Sequence, residues 1–235
     1  MTAERQGRAS ARPRSYRRKL RFERLPAAYC HPGRIAALLP EGLPTSFQGR
    51  LQGSRRLCLR LSAVLTKRFA LLPLMADDLA TPEGHFAQLE GQELANAISR
   101  IGAIWHAQKI RKLILAEPLR RLIERLGPDN YRAALRFIDL APEDEDARDG
   151  DHAEGGAPDV DLLLGRIERD ALIAVSAWRR HQPPALAERL RLKLPPCPEV
   201  DDDPPASHAD RGLIIVDRVV TTLAAEAGEA VSGHD

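Results

Sequence analysis

The segment QLEGQELANAISRIGAIWHAQKIRKLIL, residues 88–115, constrains the fold more than any other part of the chain. Its apolar residues recur every three or four positions, the spacing that aligns side chains on one face of an α-helix. They are Leu94, Ile98, Ile101 and Trp105, continued after a small offset by Ile110, Leu113 and Ile114. We therefore expect a long helix with one buried face, ended by Pro118 because proline disfavours helical geometry in the residue before it.

Several other segments carry the same helical pattern. Their apolar faces are Leu57, Leu61, Leu65 and Phe69 with Val64 and Leu72; Leu119, Leu122, Ile123 and Leu126; Tyr131, Leu135 and Ile138; Leu163, Leu164, Ile167 and Trp178; and Leu186, Leu190 and Leu194. Hydrophobic residues make up 43% of the chain and aromatic residues only 4%, so the core is built mainly from aliphatic side chains. This favours packed helices, and we predict a mainly α fold.

The predicted helices also have start and stop signals. Gly127 followed by Pro128 indicates one helix end, and Pro183-Pro184 another. Asp159 or Asp161 is placed to cap the helix that follows. The last amphipathic segment, residues 212–231, contains a β-branched run that leaves helix against strand open, although its length and alanines favour a helix.

The cluster Gly102-Ala103 next to Trp105 and His106 admits two interpretations. Gly102 and Ala103 allow a second helix to approach closely, Trp105 supplies bulk, and His106 is then expected at the boundary with solvent. The alternative is an enzyme site around His106 and Trp105. We favour a helix interface, because no two of the seven histidines are four residues apart and no nucleophile or phosphate-binding motif is present.

Composition divides the chain into three parts. Residues 1–21 carry eight Lys or Arg and one Glu, and they are predicted to form a disordered basic tail. Residues 22–195 form a single irregular helical domain, interrupted at 141–159 by an acidic loop with eight Asp or Glu and one Arg. Residues 196–235 form a linker and the C-terminal amphipathic segment. The tail is either a solvated extension or a site for nucleic acid or anionic lipid, and binding of nucleic acid is our alternative function.

Cysteine usage and the N-terminus indicate where the protein works. Cys30, Cys58 and Cys197 are odd in number and lack a CxxC pair, so neither a disulfide framework nor a zinc site is predicted. The N-terminus lacks the apolar stretch of a secretory signal. We expect a soluble protein of a reducing compartment that is not an enzyme and uses no cofactor or metal.

Basic residues cluster on the outer faces of the central predicted helices. They are Arg111, Lys112, Arg120, Arg121 and Arg125. We predict that these residues contact an acidic partner, because complementary charge sets the orientation of docking. The alternative is plain exposure to solvent.

Three motifs, in order along the chain, resemble the SctK (YscK-like) family. They are Tyr29-Cys30-His31-Pro32, then Leu89-Glu90-Gly91 followed by Ile101-Gly102-Ala103, then Arg189-Leu190-Arg191-Leu192-Lys193-Leu194-Pro195. The likeness covers residues 22–195. The basic tail, the acidic loop and the segment after Pro195 match no feature of the family.

The resemblance implies a mainly helical, non-enzymatic accessory subunit of the bacterial type III secretion sorting platform. A protein of this family joins the SctD-type inner-membrane ring protein to the SctQ-type pod protein, on the cytoplasmic face of the inner membrane. It works beside the SctL-type stator and the SctN-type ATPase without hydrolysing ATP. The resemblance supplies no catalytic residues and no cofactor.

Overall fold

The computed structural model describes residues 14–39, 50–75, 77–143 and 159–232. Its helices are α1 (Arg14–Arg24), α2 (Pro32–Ala36), α3 (Arg55–Arg68), α4 (Pro82–Gln88), α5 (Gln92–Trp105), α6 (Ala107–Arg111), α7 (Ala116–Leu126), α8 (Pro128–Arg136), α9 (Val160–Arg179), α10 (Pro184–Lys193), α11 (Pro198–Asp201) and α12 (Ala206–Ser232). Short 3₁₀ turns lie at Pro26–Ala28, Asp77–Leu79 and Ile138–Leu140. These ranges contain no strand, and the predicted mainly α fold is confirmed.

Helices α5, α9 and α12 form the centre of the main core. Trp178 of α9 is 1% exposed and meets the ring of Phe86 edge-on, at 5.4 Å between ring centroids. Ile101 of α5 and Val216 of α12 are fully buried in the same cluster. The C-terminal segment is therefore a helix that packs on the body, which settles the choice between helix and strand.

Gly102 allows α5 and α9 to approach closely. A Cβ atom added at Gly102 would lie 2.2 Å from the carbonyl oxygen of Ile167, a distance that no side chain tolerates. Gly212 has a similar but looser role, since its Cβ would lie 3.2 Å from Cα of Ala174 on α9. The predicted seam at Gly102 is confirmed.

The predicted long helix through residues 88–115 is wrong in its extent. Helix α5 ends at Trp105, the chain bends at His106, and α6 continues for one turn only. The bend corresponds to the small offset in the apolar pattern. Pro118 does not end a helix: it lies in the first turn of α7, where a missing N–H breaks no helical hydrogen bond.

Other helix boundaries follow the sequence signals. Gly127 lies between α7 and α8 at a φ of +89°, a conformation that favours glycine, and Pro128 begins α8. The Asp159 carboxylate accepts hydrogen bonds from the backbone N–H groups of Asp161 and Leu162, at 3.0 and 3.1 Å. Asp159 is thus the cap of α9.

Part of the segment predicted as a basic tail lies in a helix. Residues 14–21 belong to helix α1, where basic side chains are paired: the Arg21 guanidinium lies 3.1 Å from the Glu90 carboxylate, and Arg18 pairs with Glu93. The composition of residues 14–21 offers no carboxylate to balance these cations, and Glu90 and Glu93 provide the carboxylates instead. Residues 1–13 and most of the acidic loop, 144–158, lie outside the described residues.

Four predicted inward residues face solvent instead, and the most exposed of them is Ile114, at 88%. Val64 and Leu72 are each 53% exposed, and Leu135 is 38% exposed. Val64 and Leu135 lie at the edges of their apolar patterns, where a small rotation of the helix decides burial, whereas Leu72 and Ile114 lie beyond the ends of α3 and α6. Within the described ranges, every helix falls short of the length or apolarity that crossing a membrane requires.

Candidate functional site

The three motifs that are far apart in sequence meet at one junction. The backbone N–H of His31 in the first motif donates to the carbonyl oxygen of Leu192 in the third motif, at 2.7 Å. The ammonium of Lys193 in the third motif donates to the carbonyl oxygen of Leu89 in the second, also at 2.7 Å. We call this arrangement the motif junction.

Lys193 lies at the centre of the motif junction and is only 7% exposed. Its ammonium also donates to the carbonyl oxygen of Ala87, at 2.5 Å, and lies 4.7 Å and 4.9 Å from the ring centroids of Phe22 and Tyr29. Burial lowers the pKa of Lys193 to about 7, against the opposing effect of the Glu90 carboxylate. The carbonyls and the rings both attract the charged form.

A buried arginine ties the first motif to the end of the third. Arg34 of α2 is 6% exposed. Its guanidinium donates to the carbonyl oxygens of Leu194 and Pro195, at 2.8 and 3.0 Å, and to the Asp201 carboxylate at 3.0 Å. Because an unpaired buried charge is costly, this full set of partners holds α2 in place.

Arg189 makes a second tie one helical turn before Lys193. It is 4% exposed, and its guanidinium donates to the carbonyl oxygens of Leu72 and Ala185, at 2.7 and 2.9 Å. Sequence reasoning missed the structural role of Arg34, Arg189 and Lys193. Arg189 and Lys193 alternate with leucine, a pattern that resembles a charged solvent face. Arg189 and Lys193 are four residues apart and lie on the same side of a helix as buried leucines. This spacing was the sequence signal from which their burial could have been predicted.

A cleft of about 570 Å³ opens at the motif junction. Its lining residues come from all three motifs and from α1: Arg21, Tyr29, Cys30, His31, Pro32, Gln52, Glu90, Gly91, Leu94, Ala95, Ile98, Lys193, Leu194 and Pro195 among them. One oxygen of the Glu90 carboxylate pairs with Arg21, whereas the other, Oε1, is enclosed without a hydrogen-bond partner in the described structure.

The reactive side chains of the cleft are engaged in holding the backbone. Nδ1 of His31 accepts a hydrogen bond from the N–H of Gly33 at 3.1 Å and so caps α2. Burial raises the pKa of the Cys30 thiol to about 12, so the nucleophilic thiolate is scarce at neutral pH. Burial likewise raises the pKa of Tyr29, whose hydroxyl donates to the carbonyl oxygen of Phe22 at 3.0 Å. These groups favour a structural role over catalysis.

His106 is buried, contrary to the expectation that it lies at the boundary with solvent. It is 6% exposed, and Nε2 lies 2.9 Å from Oδ2 of Asp170 on α9. The bend between α5 and α6 turns the imidazole toward α9 instead of outward. Neither His106 nor Trp105 lines the cleft.

The predicted partner-contacting residues are all exposed, and none lines the cleft. Arg111 ends α6, Lys112 follows it, and the other three lie on α7. Arg121 and Arg125 both reach the carboxylate of Asp161, at 3.1 and 3.6 Å, while Arg120 pairs with Glu117 and Glu124. Their role in binding a partner stays a prediction.

Metal binding finds no support in the described part of the chain. Its His, Cys, Asp and Glu side chains nowhere come together in a group of three that could hold an ion.

Comparison with known proteins identifies the family. Residues 18–213 match the family model described as "YOP proteins translocation protein K (YscK)". The chain is also 28% identical to "Nodulation protein NolU" of Rhizobium fredii over 184 residues, which cover 74% of this chain and 78% of the relative. The protein of the same name from Sinorhizobium fredii (strain NBRC 101917 / NGR234) matches with the same identity and the same coverage. No solved structure is a significant match. The matched region spans most of the chain and includes all three motifs, and the chain therefore belongs to the YscK (SctK) family of proteins associated with type III secretion.

Proposed function

We propose that this chain is a non-enzymatic adaptor of the cytoplasmic sorting platform of a type III secretion system. It joins the SctD-type protein of the inner-membrane ring to the SctQ-type pod protein. Its place is peripheral, at the cytoplasmic face of the inner membrane, near the SctL-type stator and the SctN-type ATPase. Family membership supports this proposal at the level of the secretion system.

The observation that carries the proposal is the motif junction. It ties together segments that are up to 167 residues apart, as in the hydrogen bond from Arg34 to the Asp201 carboxylate. A body closed in this way holds its outer faces at fixed distances, as an adaptor between two partners requires. The buried cations at the junction donate hydrogen bonds to main-chain carbonyl oxygens, so their role is structural.

Helix α7 supplies one docking face of this adaptor. Arg111 and Lys112, at the end of α6, extend this face, and all five predicted residues are exposed. The other three, Arg120, Arg121 and Arg125, lie on α7 itself and carry its positive charge. The pairs that the α7 arginines form with Asp161, Glu117 and Glu124 are exposed to water, so these pairs are worth about 0 to 1 kcal/mol each and are readily exchanged for a partner's carboxylates. Charge complementarity then sets the orientation in which the partner docks.

The proposal is tested by affinity purification of the tagged full chain from its native host, with and without nuclease, followed by mass spectrometry. We expect the ring and pod proteins of the secretion apparatus in both preparations. Recovery dominated by nucleic-acid-binding proteins, lost after nuclease treatment, would instead support binding of nucleic acid through the N-terminal basic residues.

The α7 face is tested within the same experiment. Charge reversal in R121E/R125E should lower the recovery of one partner. The matched control is R24E/R132E, which makes the same change in net charge at exposed arginines of α1 and α8. Equal recovery with both variants would rule out the α7 face as a docking surface.

A further inference from the structure

Helix α3 carries a positive charge that nothing in the described structure balances. It contains five Lys or Arg residues and no Asp or Glu. All five are exposed: Arg55, Arg56, Arg60, Lys67 and Arg68. None of them forms an ion pair with a carboxylate of the described residues. This differs from α7, where each of the three arginines already has an acidic neighbour.

The orientation of α3 is fixed by its buried side. Leu61 and Leu65 are buried in a core cluster, and the hydroxyl of Ser62 accepts a hydrogen bond from the backbone N–H of Ala27 at 3.2 Å. The outward face is therefore defined by helical geometry. Residues at i, i+4, i+7 and i+11 lie on one face of a helix, and they place Arg56, Arg60 and Lys67 in a row. We call these three residues the basic stripe; it extends about 16 Å along the helix.

Aliphatic side chains flank the basic stripe on both sides. Leu59 is 51% exposed and Val64 is 53% exposed, and the exposed Ala63 lies within the stripe between them. Leu59 lies on one edge of the stripe and Val64 on the other, because they are separated by five residues along the helix. A face that combines unbalanced charge with exposed aliphatic side chains has the mixed composition of a protein interface.

We propose that this face of α3 docks an acidic segment of a protein partner, one that presents Asp or Glu residues flanked by aliphatic side chains. The partner's carboxylates pair with the basic stripe, and its aliphatic residues cover Leu59 and Val64. The inference rests on the proposed adaptor function, and it adds a second docking face, on a helix separate from α7.

The layout of the face distinguishes a protein partner from a membrane or a single-stranded nucleic acid. A helix that lies on an anionic membrane has a wide apolar face with cations at its edges, whereas here the cations are central and the aliphatic residues lie at the edges. Single-stranded nucleic acid is held by aromatic stacking platforms, and α3 has no aromatic residue. Complementary charge with aliphatic flanks therefore favours a protein segment.

The test is site-specific photo-crosslinking in the native host. The full chain carries photoreactive p-benzoylphenylalanine in place of Ala63, within the stripe, or in place of Leu135 on α8 as the control position. Mass spectrometry then identifies the crosslinked peptide. We expect a crosslink from position 63 to a protein segment rich in Asp or Glu, and none to that segment from position 135.

Charge reversal provides the second arm. In R56E/R60E/K67E the crosslink yield from position 63 should fall by about tenfold, because each cation that paired now repels. R24E/R132E/R211E makes the same change in net charge at exposed arginines elsewhere and should keep the yield within about twofold.

The outcomes separate this inference from the proposed function. Crosslinks to lipid or nucleic acid, crosslinks to a segment without acidic residues, or a yield unchanged by R56E/R60E/K67E would each overturn the inference. Recovery of ring and pod proteins with the same tagged chain reports on the adaptor function independently. If these proteins are recovered but position 63 gives no crosslink, the adaptor function stands and the α3 face is not a docking site.

Discussion

The indole nitrogen of Trp178 donates a hydrogen bond to the carboxylate of Asp217 at 2.6 Å, and this bond links α9 to α12. Trp178 is 1% exposed, so its N–H needs a partner inside the fold. The C-terminal helix supplies that partner together with a row of buried aliphatic residues. Helix α12 is consequently part of the body, although the family model ends at residue 213, near its beginning.

The register of α12 is tested by two adjacent isoleucines. Ile215 is fully buried and Ile214 is 50% exposed. We expect Ile215→Ala to lower the free energy of unfolding by about 2 to 5 kcal/mol, because it leaves a cavity in the core. Ile214→Ala should cost less than about 1 kcal/mol. Denaturant unfolding measures both, and equal costs would contradict the packing of α12.

The close approach of α5 and α9 is tested by two helical glycines. Gly102→Ala should lower the free energy of unfolding by about 2 kcal/mol or more, because the new Cβ meets the Ile167 carbonyl oxygen and the helices must separate. Gly165→Ala is the control: nothing lies within 4 Å of its Cβ, so the substitution should stabilise α9 by about 0.5 to 1 kcal/mol. Thermal and denaturant unfolding should thus give opposite signs for the two substitutions.

Lys193 should make stability depend on pH near neutrality. Its pKa in the folded protein is lowered to about 7, whereas an unfolded lysine titrates near 10.4. Between these values the unfolded chain binds more protons, so the free energy of unfolding rises with pH from about 7 upward. We expect wild type to gain more stability than Lys193→Met between pH 7 and pH 9. Parallel pH profiles for the two proteins would mean that burial leaves this lysine charged.

The tie between the first and third motifs is tested at Arg34. Arg34→Met removes the donors to two carbonyl oxygens and to the Asp201 carboxylate. We expect the free energy of unfolding to fall by about 2 to 4 kcal/mol, since buried acceptors lose their partners. Arg24→Met, at an exposed position of α1, should change it by less than about 0.5 kcal/mol. A cost at Arg34 no larger than at Arg24 would argue against a rigid motif junction.

The parts of the fold that depend on local chemistry were predictable from the sequence. Apolar residues at helical spacing identified most of the helices, and Gly127 and Asp159 identified helix ends. The seam at Gly102 followed from the absence of a side chain in an apolar row. Each of these features is set by residues within a few positions of one another.

Features that depend on distant residues were not predictable. Lys193 is buried because Leu89 and Ala87 offer carbonyl oxygens 104 and 106 residues away, and no local pattern reports such a partner. The burial of His106 depends in the same way on Asp170, 64 residues later. Periodicity cannot separate a solvated cation from one that is bonded to a distant backbone, so the motif junction emerged only from the three-dimensional arrangement.

The most direct test of the adaptor function is a reconstitution from purified components. The full chain is mixed with the SctQ-type pod protein and the cytoplasmic domain of the SctD-type ring protein from the same host, and size-exclusion chromatography with light scattering measures the mass of the complex. We predict one complex that contains all three proteins and that does not form without this chain. Binding of the ring domain to the pod protein in its absence, or failure of this chain to bind either one, would contradict the proposed function.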